Sequence, residues 1–142
     1  MSNLKFLLIL FSIILSFTRG YSQIQADDLL GQYWTEGKEG KIEIYKEGDK
    51  FFGKILWRKE ARKDSENPDT ALRNRSVIGL VFLKDFSFEE EIWTGGSVYS
   101  IDNGNTYSGK LWLEDGGQKL KMRGYIGFSL LGRTASLERV SN

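Results

Sequence analysis

The chain has 142 residues, and the first 22 read as an export signal, which leaves residues 23–142 as one domain's worth of chain. The formal net charge of +1 falls to −1 without Lys5 and Arg19 of that signal, a near-neutral balance that argues against nucleic-acid binding or a polybasic membrane clamp. With Cys 0 and His 0, the composition excludes disulfides, thiolate nucleophiles, Ser-His triads, imidazole bases and nearly all zinc or copper centres, so no metal and no cofactor is expected.

Met1 to Lys5 is a short basic start to an apolar run over residues 6–17, interrupted only by Ser12 and Ser16. Gly20 and Ser22 supply small residues where a signal peptidase requires them, with cleavage before Gln23. The run is shorter than the ~20 apolar residues of a spanning helix. The expectation is therefore a cleaved signal peptide over residues 1–22, no transmembrane segment after cleavage, and a periplasmic or secreted protein. An uncleaved anchor is the alternative.

Ala26-Asp-Asp-Leu-Leu30 predicts a short helical turn, and residues 31–35 open a series of strands. Residues 41–46 alternate apolar with charged, the period-2 mark of a strand with one wet face. Glu47-Gly-Asp-Lys50 is a hairpin turn, and residues 51–58 return with Phe51, Gly53, Ile55 and Trp57 on one face. The connection over residues 59–76 is polar and holds the one Pro. Residues 77–83 are apolar on both faces and predict a central or covered strand. Residues 92–99 follow, with Gly95-Gly96 as a bulge or bend. Asp102-Asn-Gly-Asn105 turns the chain into residues 106–113, Asp115-Gly-Gly-Gln118 turns it into 119–126, and residues 133–140 close it.

About eight short strands with no long helical period give an all-β fold. The reading is a small closed antiparallel β-barrel with a short N-terminal helical turn. Gly53, Gly79, Gly109 and Gly124 favour a barrel over a sandwich, because closing a small sheet demands sharp coiling. Closure also removes the edge strands that invite aggregation.

Gly31-x-Tyr33-Trp34, with Arg139 late in the chain, resembles the structural signature of lipocalins. An Arg lying flat on an aromatic ring seals one end of the barrel and stabilises it by ~0.5–2 kcal/mol. Asp64-Ser-Glu-Asn-Pro-Asp69 offers four oxygen-bearing side chains to a calcium ion, without the glycine and distal Glu of an EF-hand. The alternative is an Asx-turn before proline, with Asp69 capping a short helix through Arg75. Either way this loop sits at a barrel mouth, and Asn67, Asp69 and Arg73 are candidate mouth residues.

Arg133, Ala135, Leu137 and Arg139 share one strand parity, which makes Arg133 a candidate inward anchor for a carboxylate or phosphate. The alternative is an Arg satisfied within the protein. Aromatics make up 13% of the chain, and Trp57, Phe82, Tyr99 and Tyr107, with Met122, are candidate pocket lining. Core packing is the competing use of the same rings. Glu89-Glu-Glu91 and Asp27-Asp28 read as solvated runs rather than an opposed acid pair, so no enzymatic activity is expected.

Phe52-Gly-Lys-Ile-x-Trp57, Asn67-Pro-Asp69, Trp93-x-Gly-Gly-x-x-Tyr99, Gly104-x-Thr-Tyr-Ser-Gly-Lys-Leu111, Leu120-x-x-Arg-Gly-Tyr-Ile-Gly127 and Leu131-Gly-Arg-Thr134 occur in this order after the Gly31 opening. Together they resemble the exported bacterial domain of unknown function 2147. That resemblance implies a lipocalin-like barrel and, with it, a small and usually apolar guest. Three positions depart from it: Tyr99-Ser-Ile-Asp102 replaces Tyr-Asp-Pro, Leu137 stands where Trp is common, and the loop before Asn67 is short. The function expected is binding of a small apolar or amphiphilic ligand in the barrel. The alternative is a structural or protein-interaction module of the cell envelope with a packed interior.

Overall fold

The alternation over residues 41–46 forms a strand whose apolar side turns inward. In the computed structural model, β2 (Gly40–Glu47) buries Gly40, Ile42 and Ile44 and leaves the residues between them partly exposed. The structure describes Gly20, residues 22–127 and residues 132–142. The predicted signal peptide through Arg19, Tyr21 and the first residue of the Leu131–Gly–Arg–Thr134 motif lie outside the described residues.

The remaining strands are β1 (Gly31–Trp34), β3 (Lys50–Arg58), β4 (Val81–Glu89), β5 (Ile92–Tyr99), β6 (Thr106–Glu114), β7 (Lys119–Tyr125) and β8 (Gly132–Arg139). Each pairs with the next, and β8 returns to β1 with Arg139 opposite Tyr33, so the sheet closes as an up-and-down barrel. Successive connections therefore alternate between two ends. One end carries the tight links after β2, β4 and β6, and the 3₁₀ turn Ala26–Leu29 packs there. The other end, the mouth, carries residues 35–39, 59–80 and 100–105.

The closed end is packed solid. Tyr33, Phe51, Phe86 and Trp93 are fully buried there with Leu29, Leu111 and Leu120. The Phe51 and Trp93 rings meet edge-on at 6.2 Å, and Trp93 Nε1 donates to the Ala26 carbonyl at 3.2 Å, which pins the N-terminal turn as a cap. Many of the aromatic rings thus go into core and outer surface. Tyr45 stacks on Phe52 outside the barrel, and Trp112 gives its N–H to Glu114.

Two local expectations are corrected. Residues 77–80 are loop rather than strand: Gly79 has φ +82° and its N–H donates to the Ile55 carbonyl at 2.7 Å, a turn that ends the connection, and β4 starts at Val81. Trp57 does not continue the buried face of Phe51, Gly53 and Ile55. Ile42 pairs with Ile55 but the preceding Lys41 pairs with Trp57, so Leu56 is an extra residue and the face flips beyond it. Trp57 is 43% exposed and packs edge-on against Trp34 at 6.0 Å.

Candidate functional site

The mouth half of the barrel is hollow. Ile42, Ile55, Phe82, Met122 and Leu137, from five strands, border a cavity of about 370 Å³. Small-molecule sites are typically ~300–1,000 Å³, mostly apolar, with a few convergent polar groups. Val98, Ser100, Asp102 and Met122 also border an adjoining hollow of about 670 Å³ that reaches Tyr107 and Arg133.

The same extra residue that turns Trp57 out turns Arg58 in. Arg58 pairs with Gly40, which shares the inward face of Ile42, and it borders the cavity. Its Nε is buried and has no hydrogen-bond partner among the described residues. The other two cations at the cavity are engaged. Arg62 donates from Nη1 to Asp102 at 2.7 Å and from Nη2 to the Ile101 carbonyl at 2.9 Å. Lys41 lies 4.5 Å over the Trp34 ring.

A buried polar clasp fixes one side of the mouth. The Asp64 carboxylate, fully buried, accepts from the Tyr99 hydroxyl at 2.6 Å, from Asn67 Nδ2 at 2.8 Å, and from Arg75 Nε and Nη2 at 3.0 and 2.8 Å. Burial pushes this carboxyl up, but the three donors and the Arg75 charge outweigh it and hold Asp64 below its ordinary value. Tyr99 moves the other way, raised by burial and by its bond to the Asp64 charge. The clasp joins the long connection to β5.

Asp64 therefore faces a guanidinium rather than an open cage, and the Asn67–Pro68–Asp69 segment is the Asx-turn of the two sequence alternatives. The Asp69 N–H donates to Asn67 Oδ1 at 2.8 Å, and Asp69 Oδ1 accepts from Ala71 N–H at 3.0 Å to cap the 3₁₀ turn Thr70–Leu72.

Of the residues singled out from sequence, Trp57, Phe82, Tyr99 and Met122 border the cavity. Tyr107 and Arg133 border the adjoining hollow, and Arg133 is exposed. Asn67 is buried in the clasp, while Asp69 and Arg73 are exposed on its loop, where Arg73 Nε donates to the Asn67 carbonyl at 2.7 Å. Sequence reasoning missed Arg58, because simple alternation from Phe51 points it outward and nothing in the strand signals the extra residue. Ile42, Ile55 and Leu137 carried only the signal of a buried strand face.

The family of bacterial proteins described as "Uncharacterized protein conserved in bacteria" (DUF2147) matches residues 31–139, from the first strand of the barrel to the Arg that closes it. The chain belongs to this family. Among solved structures, this DUF2147 protein is similar to HP1028 from Helicobacter pylori, described as belonging to the lipocalin family. The two share 28% identity and a TM-score of 0.72 over 80% of this chain and 84% of that one. A comparison with curated proteins finds no match. The barrel is thus lipocalin-like, and no helix among the described residues is long and apolar enough to cross a membrane.

Proposed function

We propose that this protein is an exported binding protein that takes a small apolar or amphiphilic molecule into the mouth of its barrel and does no chemistry on it. On this reading residues 1–22 are removed as a signal peptide, and residues 23–142 act in the periplasm or outside the cell. The observation that carries the reading is the cavity bordered by Ile42, Ile55, Phe82, Met122 and Leu137 above a solidly packed closed end. Covering apolar ligand surface with such walls yields ~25 cal/mol per Å². Trp57 and Tyr99 frame the entrance, Tyr107 and Arg133 extend it sideways, and Asn67, Asp69 and Arg73 shape the flanking loop. The lipocalin likeness of the family supports the same reading.

The test is native mass spectrometry of protein recovered from its own host, followed by titration of the stripped protein with the neutral dye N-phenyl-1-naphthylamine. A co-purifying small molecule and saturable dye fluorescence are expected, and both should be lost in Met122→Trp, whose indole fills the cavity. A wild-type barrel that carries nothing and binds no dye sinks the proposal. N-terminal sequencing of the exported form should begin at Gln23.

A second reading, an envelope interaction module, draws on Trp57, Ile78 and Ile126, which are 43%, 47% and 71% exposed at the mouth end. Crosslinking in intact cells that recovers one protein partner, lost on Ile78→Ser with dye binding intact, would favour it.

A further inference from the structure

Among the described residues, the cavity contains one charged group with nothing to hold. Arg58 Nε is buried and unpartnered among the described residues, and no ion pair engages its guanidinium. A buried guanidinium nitrogen without an acceptor is costly, and such groups in folded proteins call for a reason. The chain does not lack carboxylates nearby: Asp102 borders the same cavity, yet it is bound to Arg62. The charged side chains at the cavity are Lys41, Arg58 and Arg62 against Asp102, so the local field is positive. Below Arg58 the walls are apolar: Ile42 and Ile55 on β2 and β3, Phe82 on β4, and Leu137 on β8.

From this juxtaposition we infer that Arg58 is the anchor for an anionic head group, and that the ligand is a single-chain amphiphile with a carboxylate or phosphate monoester at one end. The head sits at the level of Gly40 and Arg58, and the chain runs along the apolar walls. A planar guanidinium suits both oxyacids, because two parallel N–H donors can meet two oxygens. Inside a partly desolvated cavity this charge-assisted pair is stronger than it would be at the surface. The inference rests on the proposed binding function and narrows it from any apolar guest to an acidic one.

The test uses displacement of N-phenyl-1-naphthylamine from the mature protein, residues 23–142, by dodecanoate, monododecyl phosphate, 1-dodecanol and dodecyltrimethylammonium, all below micellar concentration. On wild type, at least one acid should displace the dye at a roughly tenfold or lower concentration than the alcohol, and the quaternary amine should be weakest. The tighter acid identifies the head group as carboxylate or phosphate. Arg58→Gln should bring acid and alcohol together by weakening the acid far more than the alcohol, and Arg58→Lys should restore part of the gap. Equal displacement by acid and alcohol on wild type overturns the inference and leaves the binding proposal standing. So does a gap that persists in Arg58→Gln. A wild-type barrel that never binds the dye and responds to none of the four overturns both. If Arg58→Gln does not fold, Arg58→Met, which removes the charge without leaving a buried polar group, makes the same comparison, and a gap that persists there overturns the inference.

Discussion

The Arg139 guanidinium lies 4.8 Å over the ring of Tyr33 and shuts the closed end of the barrel. It donates to three carbonyls, those of Leu30 at 2.8 Å, Asp28 at 2.5 Å and Gly117 at 2.8 Å, which brings the N-terminal turn, β1 and the link after β6 to one point. Gly31 makes room for it: a Cβ there would sit 2.8 Å from Arg139 Nη1, at φ +138°. Arg139→Ala should therefore cost about 2–4 kcal/mol, combining the lost cation–π contact with uncapped carbonyls. Arg139→Lys should recover a minority of that, since a point charge cannot reach three acceptors at once. Urea midpoints measure both, and a lysine variant as stable as wild type would contradict the assigned role.

Tyr33 makes the same end sensitive to alkali. Burial raises its pKa to about 12, with the neighbouring Arg139 pulling the other way, and the hydroxyl donates to the Leu29 carbonyl at 2.8 Å. A raised folded value means the stabilising contribution is complete below the unfolded value near 10 and is lost as pH rises toward 12. The loss amounts to about 2–3 kcal/mol. Wild type should exceed Tyr33→Phe in stability at pH 8, and the gap should shrink or reverse by pH 12. A gap constant across that range in guanidinium titrations would show that Tyr33 is not the group responsible, because Tyr45 and Tyr99 titrate in both proteins.

Two glycines that pair across β6 and β7 should respond differently to one methyl group. Gly109 lies opposite Gly124, yet a Cβ on Gly109 would fall 2.5 Å from Phe86 Cζ and 2.7 Å from Val98 Cγ2, while one on Gly124 meets nothing closer than 3.6 Å. Gly109→Ala should destabilise by about 1–3 kcal/mol through overpacking, and Gly124→Ala by well under half of that. Phe86→Leu should be less harmful in the Gly109→Ala background than alone, a coupling that a double-mutant cycle reads directly.

The contrast marks the limit of what the sequence reveals. The glycines pointed to a tightly coiled closed sheet, and the strand patterns with their turn residues placed seven of the eight strands, because those signals are local, whereas the fourth was expected over residues 77–83 and runs over Val81–Glu89. That Gly109 and Gly96 exist to seat the Phe86 ring is a fact about three strands at once. The mouth was legible only in part for a related reason. Phe82, Tyr99 and Met122 border the cavity as side chains of recognised strands, whereas one extra residue at Leu56 exchanged Trp57 for Arg58 on the inward face. A single inserted residue reverses parity without changing composition or periodicity enough to be noticed.

The Asp64 clasp gives the mouth an acid limit. Its carboxyl is held below the ordinary value of 3.8, the hydrogen bonds and the Arg75 charge outweighing burial. A depressed folded value means the contribution is present above the unfolded pKa and is lost as pH falls through the folded one. Asp64→Asn keeps the shape but offers Arg75 no charge and replaces one acceptor oxygen with a donor. Breaking a fully buried pair costs ~3–5 kcal/mol, but the Arg75 side chain is 43% exposed, so the penalty at pH 7 should be nearer 1–3 kcal/mol. That difference should shrink below pH 3.8 as the wild-type carboxylate takes up its proton. Urea titrations of both proteins from pH 7 to pH 2.5 check it, and parallel stability curves throughout would remove Asp64 as the titrating group. Because the clasp holds residues 59–80 beside Tyr99, the asparagine variant should also release bound dye faster at pH 7, with the wild type approaching its rate only in acid.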